Sequence, residues 1–294
     1  MESAADKASG KASDRDGERA GDRDGERAGD KAGDKAGDKA GQPLRTSVWL
    51  EGKPAARGRK SERTDHPTGL DRDRIIAVSV RLLDAEGPAK FSMRRLAAEL
   101  GVTAMSLYWY VDTKDDLLEL ALDSVYTEIV TLPGTADDGT DTDWRDELRE
   151  LAVSYRALLV RHPWVSPLVG KFLNIGPHSM EFSTAVQRVM RGTGLPAHGQ
   201  MGALSAVFQF VYGFGTIEGH FVQRCAEAGM TQDQYHRHAM GSIHEQPEYE
   251  GRFEQAEEMM EARGGETVEE MRERDFTFAL DVLVAGIETM RERG

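Results

Sequence analysis

From Leu70 onward apolar residues recur at three- and four-residue intervals, and no alternating strand pattern of useful length appears. That period belongs to helices, so an all-α fold is predicted. Asp71 is placed to cap a helix carrying Ile75, Ile76, Ser79, Val80, Leu82 and Leu83, which ends at Gly87-Pro88. Ser92 caps a short helix with Leu96, Ala97 and Leu100 on one face, closed by Gly101. A third short helix is expected over about 104–110. A fourth runs from Lys114 to Val125, with Asp115 and Asp116 in the first turn, where the helix dipole favours them. Beyond a polar loop at 134–143, helices are predicted at about 144–161, 163–174, 178–193, 197–226 and 267–292. Residues 228–247 are polar and rich in His and Gln and read as a loop, ahead of a weaker helix at 248–263.

The chain before Leu70 has a different character. DRDGERAG occupies 14–21 and again 22–29, and DKAG follows three times over 30–41. Such a tract has almost nothing apolar to bury and is expected to be disordered. Lys53, Arg57, Arg59, Lys60 and Arg63 then cluster among Pro, Gly and Ala. A basic arm beside a DNA-binding domain can enter a narrow minor groove, and Arg57, Arg59, Lys60 and Arg63 are the candidates. Three regions follow: an extension over 1–66, a DNA-binding domain over 67–115 and a helical domain over 116–294.

Charge sharpens this division. The net charge is −14, but residues 115–294 hold 31 acidic against 15 basic side chains, while the part before them is nearly neutral. Phosphates would repel the C-terminal part, so any DNA contact must come from the N-terminal third. Cys225 is the only cysteine, which leaves no internal disulfide. His220, His236, His238 and His244 invite a metal reading, but without a cysteine or a ligand spacing no metal or other cofactor is expected. No apolar run approaches the length of a membrane helix, and Met1-Glu2-Ser3 leads straight into charge, so a cytoplasmic protein without membrane partners is expected.

The stretch Phe91–Tyr110 has helix-turn-helix chemistry. Leu96, Ala97, Leu100, Val102 and Leu107 form a small core, and Gly101 allows a tight turn. Thr103, Ala104, Ser106, Tyr108, Trp109 and Tyr110 then lie on a short helix whose N-terminal end can enter a major groove. Arg94, Arg95 and Lys114 flank it as phosphate or guanine contacts. Three consecutive aromatics point in three directions, so one of them should pack inward.

Thr103-Ala-Met-Ser-Leu-Tyr-Trp-Tyr-Val-Asp-Thr-Lys-Asp-Asp-Leu-Leu118 resembles the tetracycline-repressor family of regulators, in its tetracycline-repressor-like branch and of an actinobacterial type. The resemblance extends more weakly over about 70–294. Trp144-Arg-Asp-Glu-Leu148 is similar to the start of the family's fifth helix, and 197–226 and 267–292 to its dimerising helices. It implies base contacts from Arg94, Ala104, Met105, Ser106 and Tyr108, and backbone contacts from Ser92, Trp109, Tyr110 and Lys114. Ala104-Met105 stands where members that bind the tetracycline operator have Gln-Pro. Ala and Met can touch a thymine methyl but cannot make the bidentate bond of Gln to adenine, so a different operator is expected. Leu168-Val169-Gly170 offers no His near the family's drug-chelating position, which argues against tetracycline itself.

Helix 267–292 carries two apolar stripes, one with Phe276, Leu280, Leu283, Ile287 and Met290, the other with Phe278, Val282 and Ala285. A helix apolar on two sides needs two partners. Gly215 and Gly219 on the long helix let another helix approach, so Gly215, Gly219, Leu280, Leu283 and Ile287 are the candidate homodimer interface. Phe172, Met180, Phe182, Met201, Phe208 and Tyr212 are the candidate lining of a small-molecule pocket. No phosphate loop, zinc-protease motif or nucleophile elbow occurs, so no enzyme is expected. The sequence therefore reads as a ligand-released repressor that binds a palindromic DNA operator as a homodimer. The alternatives are a DNA-binding regulator without an effector, and an all-helical enzyme carrying a DNA-binding module.

Overall fold

The computed structural model describes residues 46–51, 70–129, 143–249, 259 and 262–293. The repeat tract, the arm residues Arg57, Arg59, Lys60 and Arg63, nearly all of the loop at 134–143 and most of the helix expected at 248–263 lie outside them. Among the described residues the fold is helical, with no strand. A single turn α1 (Val48–Glu51) precedes α2 (Arg72–Lys90), α3 (Met93–Leu100), α4 (Ala104–Leu107) and α5 (Lys114–Val125). Then come α6 (Trp144–Arg161), α7 (Val165–Val169), α8 (Pro177–Gly192), α9 (Ala197–Glu227), α10 (Gln232–His244) and α11 (Val268–Arg293).

Local chemistry sets most boundaries. Asp71 caps α2 by accepting Arg74 N at 2.7 Å. Gly87, at φ 74°, breaks the helical path just before Pro88. Thr113 and Asp116 form a reciprocal capping box at the start of α5. Three expectations change. The short helix expected over about 104–110 is the single turn α4, with 108–110 in a turn. Residues 163–174 form only the short α7, after which the Asn174 side chain donates to the Val169 carbonyl at 2.7 Å and Asn174, at φ 53°, turns the chain. Residues 228–247 contain the helix α10 instead of a loop. Thr231 and Gln234 form a capping box there, and Asp233 accepts Val268 N at 2.8 Å, tying α10 to α11.

Ile75, Leu82 and Leu83 of α2, Leu96 of α3, Leu107 of α4 and Leu117 of α5 are buried together, which makes α5 the beam between the N-terminal helices and the rest. In the larger part α6 lies along α9. A Cβ on Gly219 would come within 2.9 Å of the Leu159 carbonyl oxygen, and one on Gly215 within 3.1 Å of the Leu159 side chain. These glycines serve helix approach inside the protomer, which corrects their assignment to a dimer interface. Leu280 is corrected likewise, since Phe276, Leu280 and Val284 face the protomer's own core, whereas Leu283 and Ile287 also line a groove between α9 and α11. The stripe left outside is the other one, with Phe278 73 % and Val282 56 % exposed. At the centre Arg156 of α6 pairs with Glu218 of α9 at 2.7 Å and Glu273 of α11 at 2.6 Å, its guanidinium over the rings of Phe214 and Phe276.

Candidate nucleic-acid interface

The N-terminal helices build a reading head from caps and one left-handed turn. Ser92 caps α3 by accepting Arg95 N at 3.2 Å. Gly101, at φ 70°, ends α3 and donates its N–H to the carbonyls of Ala97 and Ala98. Thr103 caps α4, accepting Ser106 N at 3.3 Å, with the Ser106 hydroxyl 2.9 Å away. Leu107 is fully buried, so the helix sits on its apolar side with the opposite face outward. That face carries Met105 (71 % exposed) and Trp109 (79 %), with Tyr108 half-exposed between them. Ala104 and Ser106 lie at its edges.

The other predicted contacts divide. Arg94 is exposed and makes no ion pair among the described residues. The guanidinium of Arg95 is held by Glu86 at 2.8 Å and Glu99 at 2.9 Å, so it braces α3 against α2. Lys114 donates to the carbonyls of Phe91 at 2.6 Å and Pro88 at 3.5 Å, over the Phe91 ring. It closes the α2–α3 turn onto α5, a role unlike the phosphate contact expected of it. Tyr110 is the aromatic that packs inward, its hydroxyl donating to the Leu70 carbonyl at 2.8 Å.

Of the six residues expected to line a pocket, three come together. Phe182 stacks on Tyr155, Tyr155 on Phe208, and Phe208 on Tyr212, with ring centroids 5.4–6.0 Å apart. Tyr126 joins at 5.6 Å from Phe182. Sequence reasoning missed Tyr126 and Tyr155, although Tyr155 falls on the apolar face of α6 with Leu148, Leu151 and Leu159. Met180 and Met201 are exposed, and Phe172 packs near the start of α5, so these three do not line the column. Burial first, and then the Asp123 carboxylate, pushes the Tyr126 hydroxyl up to about 12. Burial, with Tyr126 and Tyr212 nearby, raises Tyr155 further. Both phenols therefore stay protonated at neutral pH, and among the described residues the buried Tyr155 hydroxyl faces only that of Tyr126, without a well-formed hydrogen bond.

Asp123, near the end of α5, is buried and reaches the start of α8. The N-cap of α8 is Gly176, which has no side chain to cap with. Asp123 supplies the missing cap from another helix, accepting Ser179 N and Ser179 Oγ at 2.9 Å and His178 N at 3.4 Å. Phe182 lies one turn further along α8, so the aromatic column and α5 share one mechanical joint.

A second joint links α2 to the larger part. His162, 3 % exposed, places Nδ1 2.6 Å from Asp84 of α2 and Nε2 3.1 Å from Glu128. Trp164 Nε1 also donates to Asp84, and Arg161 pairs with Glu128. Burial alone lowers the imidazole, but the Asp84 and Glu128 carboxylates outweigh it and hold it above the ordinary 6.5. The stabilisation is therefore complete below pH 6.5 and is lost as pH rises through the elevated value. The melting temperature is expected to fall over that window, and the fall should be flatter in His162→Gln. Equal pH profiles for the two proteins would remove His162 from this role.

Between α9 and α11 lies an open groove of about 460 Å³, lined by Leu195, Ala203, Val207, Val282, Leu283, Gly286, Ile287 and Met290 among others. Its walls are almost wholly apolar. No group of His, Cys, Asp and Glu among the described residues is arranged to hold a metal.

Comparison with known proteins gives two family matches. Residues 75–121 match the bacterial regulatory proteins of the tetR family, and residues 136–291 the tetracyclin repressor-like C-terminal domain. An HTH-type transcriptional regulator of Saccharopolyspora erythraea is 34 % identical over 206 residues, covering 69 % of this chain and 84 % of that protein. The HTH-type transcriptional repressor DrrR1 of Streptomyces coeruleorubidus is 33 % identical over 180 residues, covering 61 % of this chain and 65 % of the relative. Apo ActR of Streptomyces coelicolor superposes with a TM-score of 0.57 at 24 % identity, covering 76 % of this chain and 97 % of ActR. ActR has also been solved in complex with actinorhodin, with a TM-score of 0.54. At that identity the likeness speaks for the fold.

Proposed function

The chain belongs to the tetR family of bacterial regulatory proteins, and from that premise we propose that it is a repressor that binds a palindromic operator as a homodimer and is released by a small molecule. The observation that carries the reading is the outward face of α4. Met105 on α4, and Tyr108 and Trp109 in the turn that continues it, stand exposed, and the cap, the turn and buried Leu107 leave them one orientation. Large exposed aromatics on a rigid mount serve recognition and do nothing for the fold. Residues 67–115 form the reading unit in this proposal, and 116–294 the sensing and dimerising unit.

The aromatic column from Tyr126 to Tyr212 is where an effector would act. Its rings favour a flat apolar or aromatic compound, and the Tyr155 hydroxyl offers a donor. The groove between α9 and α11 accepts the same face of a second copy, since among the described residues the exposed apolar stripe there has no other partner. The relatives are named as regulators, and we read this chain as non-catalytic and cytoplasmic. No helix among the described residues is long and apolar enough to cross a membrane.

The test begins with duplexes selected from a random pool by the full-length protein. Arg94→Ala combined with Tyr108→Ala is expected to weaken binding to the selected site by about 30-fold or more at fixed salt, because two lost base contacts at about 1–3 kcal/mol each remove about 2 kcal/mol or more. Unchanged affinity would refute the contact assignment. The same complex, challenged with a panel of planar aromatic compounds, should dissociate with at least one of them. A regulator without an effector would respond to none.

A further inference from the structure

Ahead of both family-matched stretches lies the segment Thr46–Glu51, and it is bound firmly to α5. Glu119, midway along α5, is only 4 % exposed. One of its carboxylate oxygens accepts Ser47 Oγ at 2.5 Å and the other Val48 N at 2.9 Å. Ser47 and Val48 are themselves buried, and Trp49 packs against the core. Ser47 Oγ also accepts Trp49 N, and the Ser47 carbonyl accepts Leu50 N, both at 3.2 Å. Among the described residues, every hydrogen bond to the Glu119 carboxylate comes from this segment. A buried carboxylate stripped of its donors is strongly unfavourable, so the segment and the setting of α5 require each other.

Three residues earlier on the same helix, Asp116 Oδ2 accepts the N–H groups of Asp112 and Thr113, each at 3.1 Å. That pair of bonds ties α5 to the turn that leads out of α4. Neighbouring carboxylates on α5 thus grip the N-terminal segment and the turn that follows the reading helix.

We propose that Ser47–Glu51 is a positioning strap of the reading head. It completes the bonding of Glu119, fixes α5, and through Asp116 sets the angle at which α4 presents Tyr108 and Trp109. It touches no DNA in this role. The inference rests on the DNA-binding reading above, and its signature is affinity lost without loss of phosphate contacts.

The test compares the full chain with one lacking residues 1–51, which keeps Arg57 to Arg63, and with Ser47→Ala and Glu119→Gln in the full chain. Binding to a duplex selected by the full chain is measured at several salt concentrations, normalised to the active fraction from stoichiometric titration. Truncation is expected to weaken binding by about tenfold, an ordinary size for a coupling between distant parts, and the point variants severalfold. The slope of log affinity against log salt should stay unchanged, because it counts neutralised phosphates. If truncation prevents folding, the two point variants carry the test. Full affinity in active variants would overturn the strap. A shallower slope would overturn it too, since the segment would then act by delivering charge. A full chain that selects no duplex fails differently, removing the DNA-binding premise and the strap with it.

Discussion

Val282→Glu is expected to yield a folded monomer that has lost specific DNA binding. Val282 is 56 % exposed in the protomer and lines the apolar groove between α9 and α11, so a charge there costs the isolated subunit little. In a two-fold dimer it is costly. The same patch meets itself, and each new carboxylate enters a desolvated apolar face near its own copy. Like charges so placed cost several kcal/mol, which is enough to separate the subunits at micromolar concentration. A single reading head then engages one half-site, and affinity falls by about a thousandfold toward the non-specific level. Sedimentation velocity, circular dichroism and titration of the selected duplex together check this. A variant that remains dimeric with full affinity would place the interface elsewhere.

The joint between α5 and α8 carries the second large effect. Gly176 has φ −68°, an ordinary value for any residue, so Gly→Ala at such a site should stabilise by about 0.4–1 kcal/mol through the unfolded chain. Here the added Cβ would run into the Asp123 carboxylate. Gly176→Ala is therefore expected to destabilise, with the sign reversed by one contact. Asp123→Ala should cost about 2–4 kcal/mol, because it strips a charged cap and leaves buried donors of Ser179 unpaired. A loss of about 5–10 °C in melting temperature corresponds to that figure in a protein of this size. Asp123→Ala within a degree of the parent, or Gly176→Ala above it, would contradict the trans-cap.

Much of the reading head was legible in the sequence because its determinants are local. Asp71, Ser92 and Gly101 each act within a few residues, and the structure uses each as a cap or turn, while Thr103, read as part of the short helix, is its cap. Charge was less legible. Arg95 and Lys114 looked like phosphate ligands, yet their partners are Glu86 and the carbonyls of Pro88 and Phe91, reached only once α2, α3 and α5 pack. The capping box Thr231-x-x-Gln234 was present in the sequence and lost among histidines.

The regulatory part shows the same limit from another side. Two apolar stripes on α11 were visible, but only packing decides that Phe276 and Leu280 turn inward and Phe278 and Val282 outward. The glycines of α9 announced a close helix without naming it, and it proved to be α6. Asp123 carried no signal, because its partner is the backbone of α8, fifty-odd positions away.

Arg156 has a consequence for assembly. Its guanidinium is clamped by carboxylates from α9 and α11 and lies over the rings of Phe214 and Phe276, which meet edge to face, all within one subunit. The crossing of the two helices that flank the groove is thereby fixed before any second copy arrives. Pulling α11 away would break the Glu273 pair and uncover the fully buried Phe276, so the C-terminal helix stays seated when subunits part. Association is then the collision of two rigid, ready-made surfaces, with little ordering entropy left to overcome. On dilution the subunits come apart whole, and recombine without having to refold.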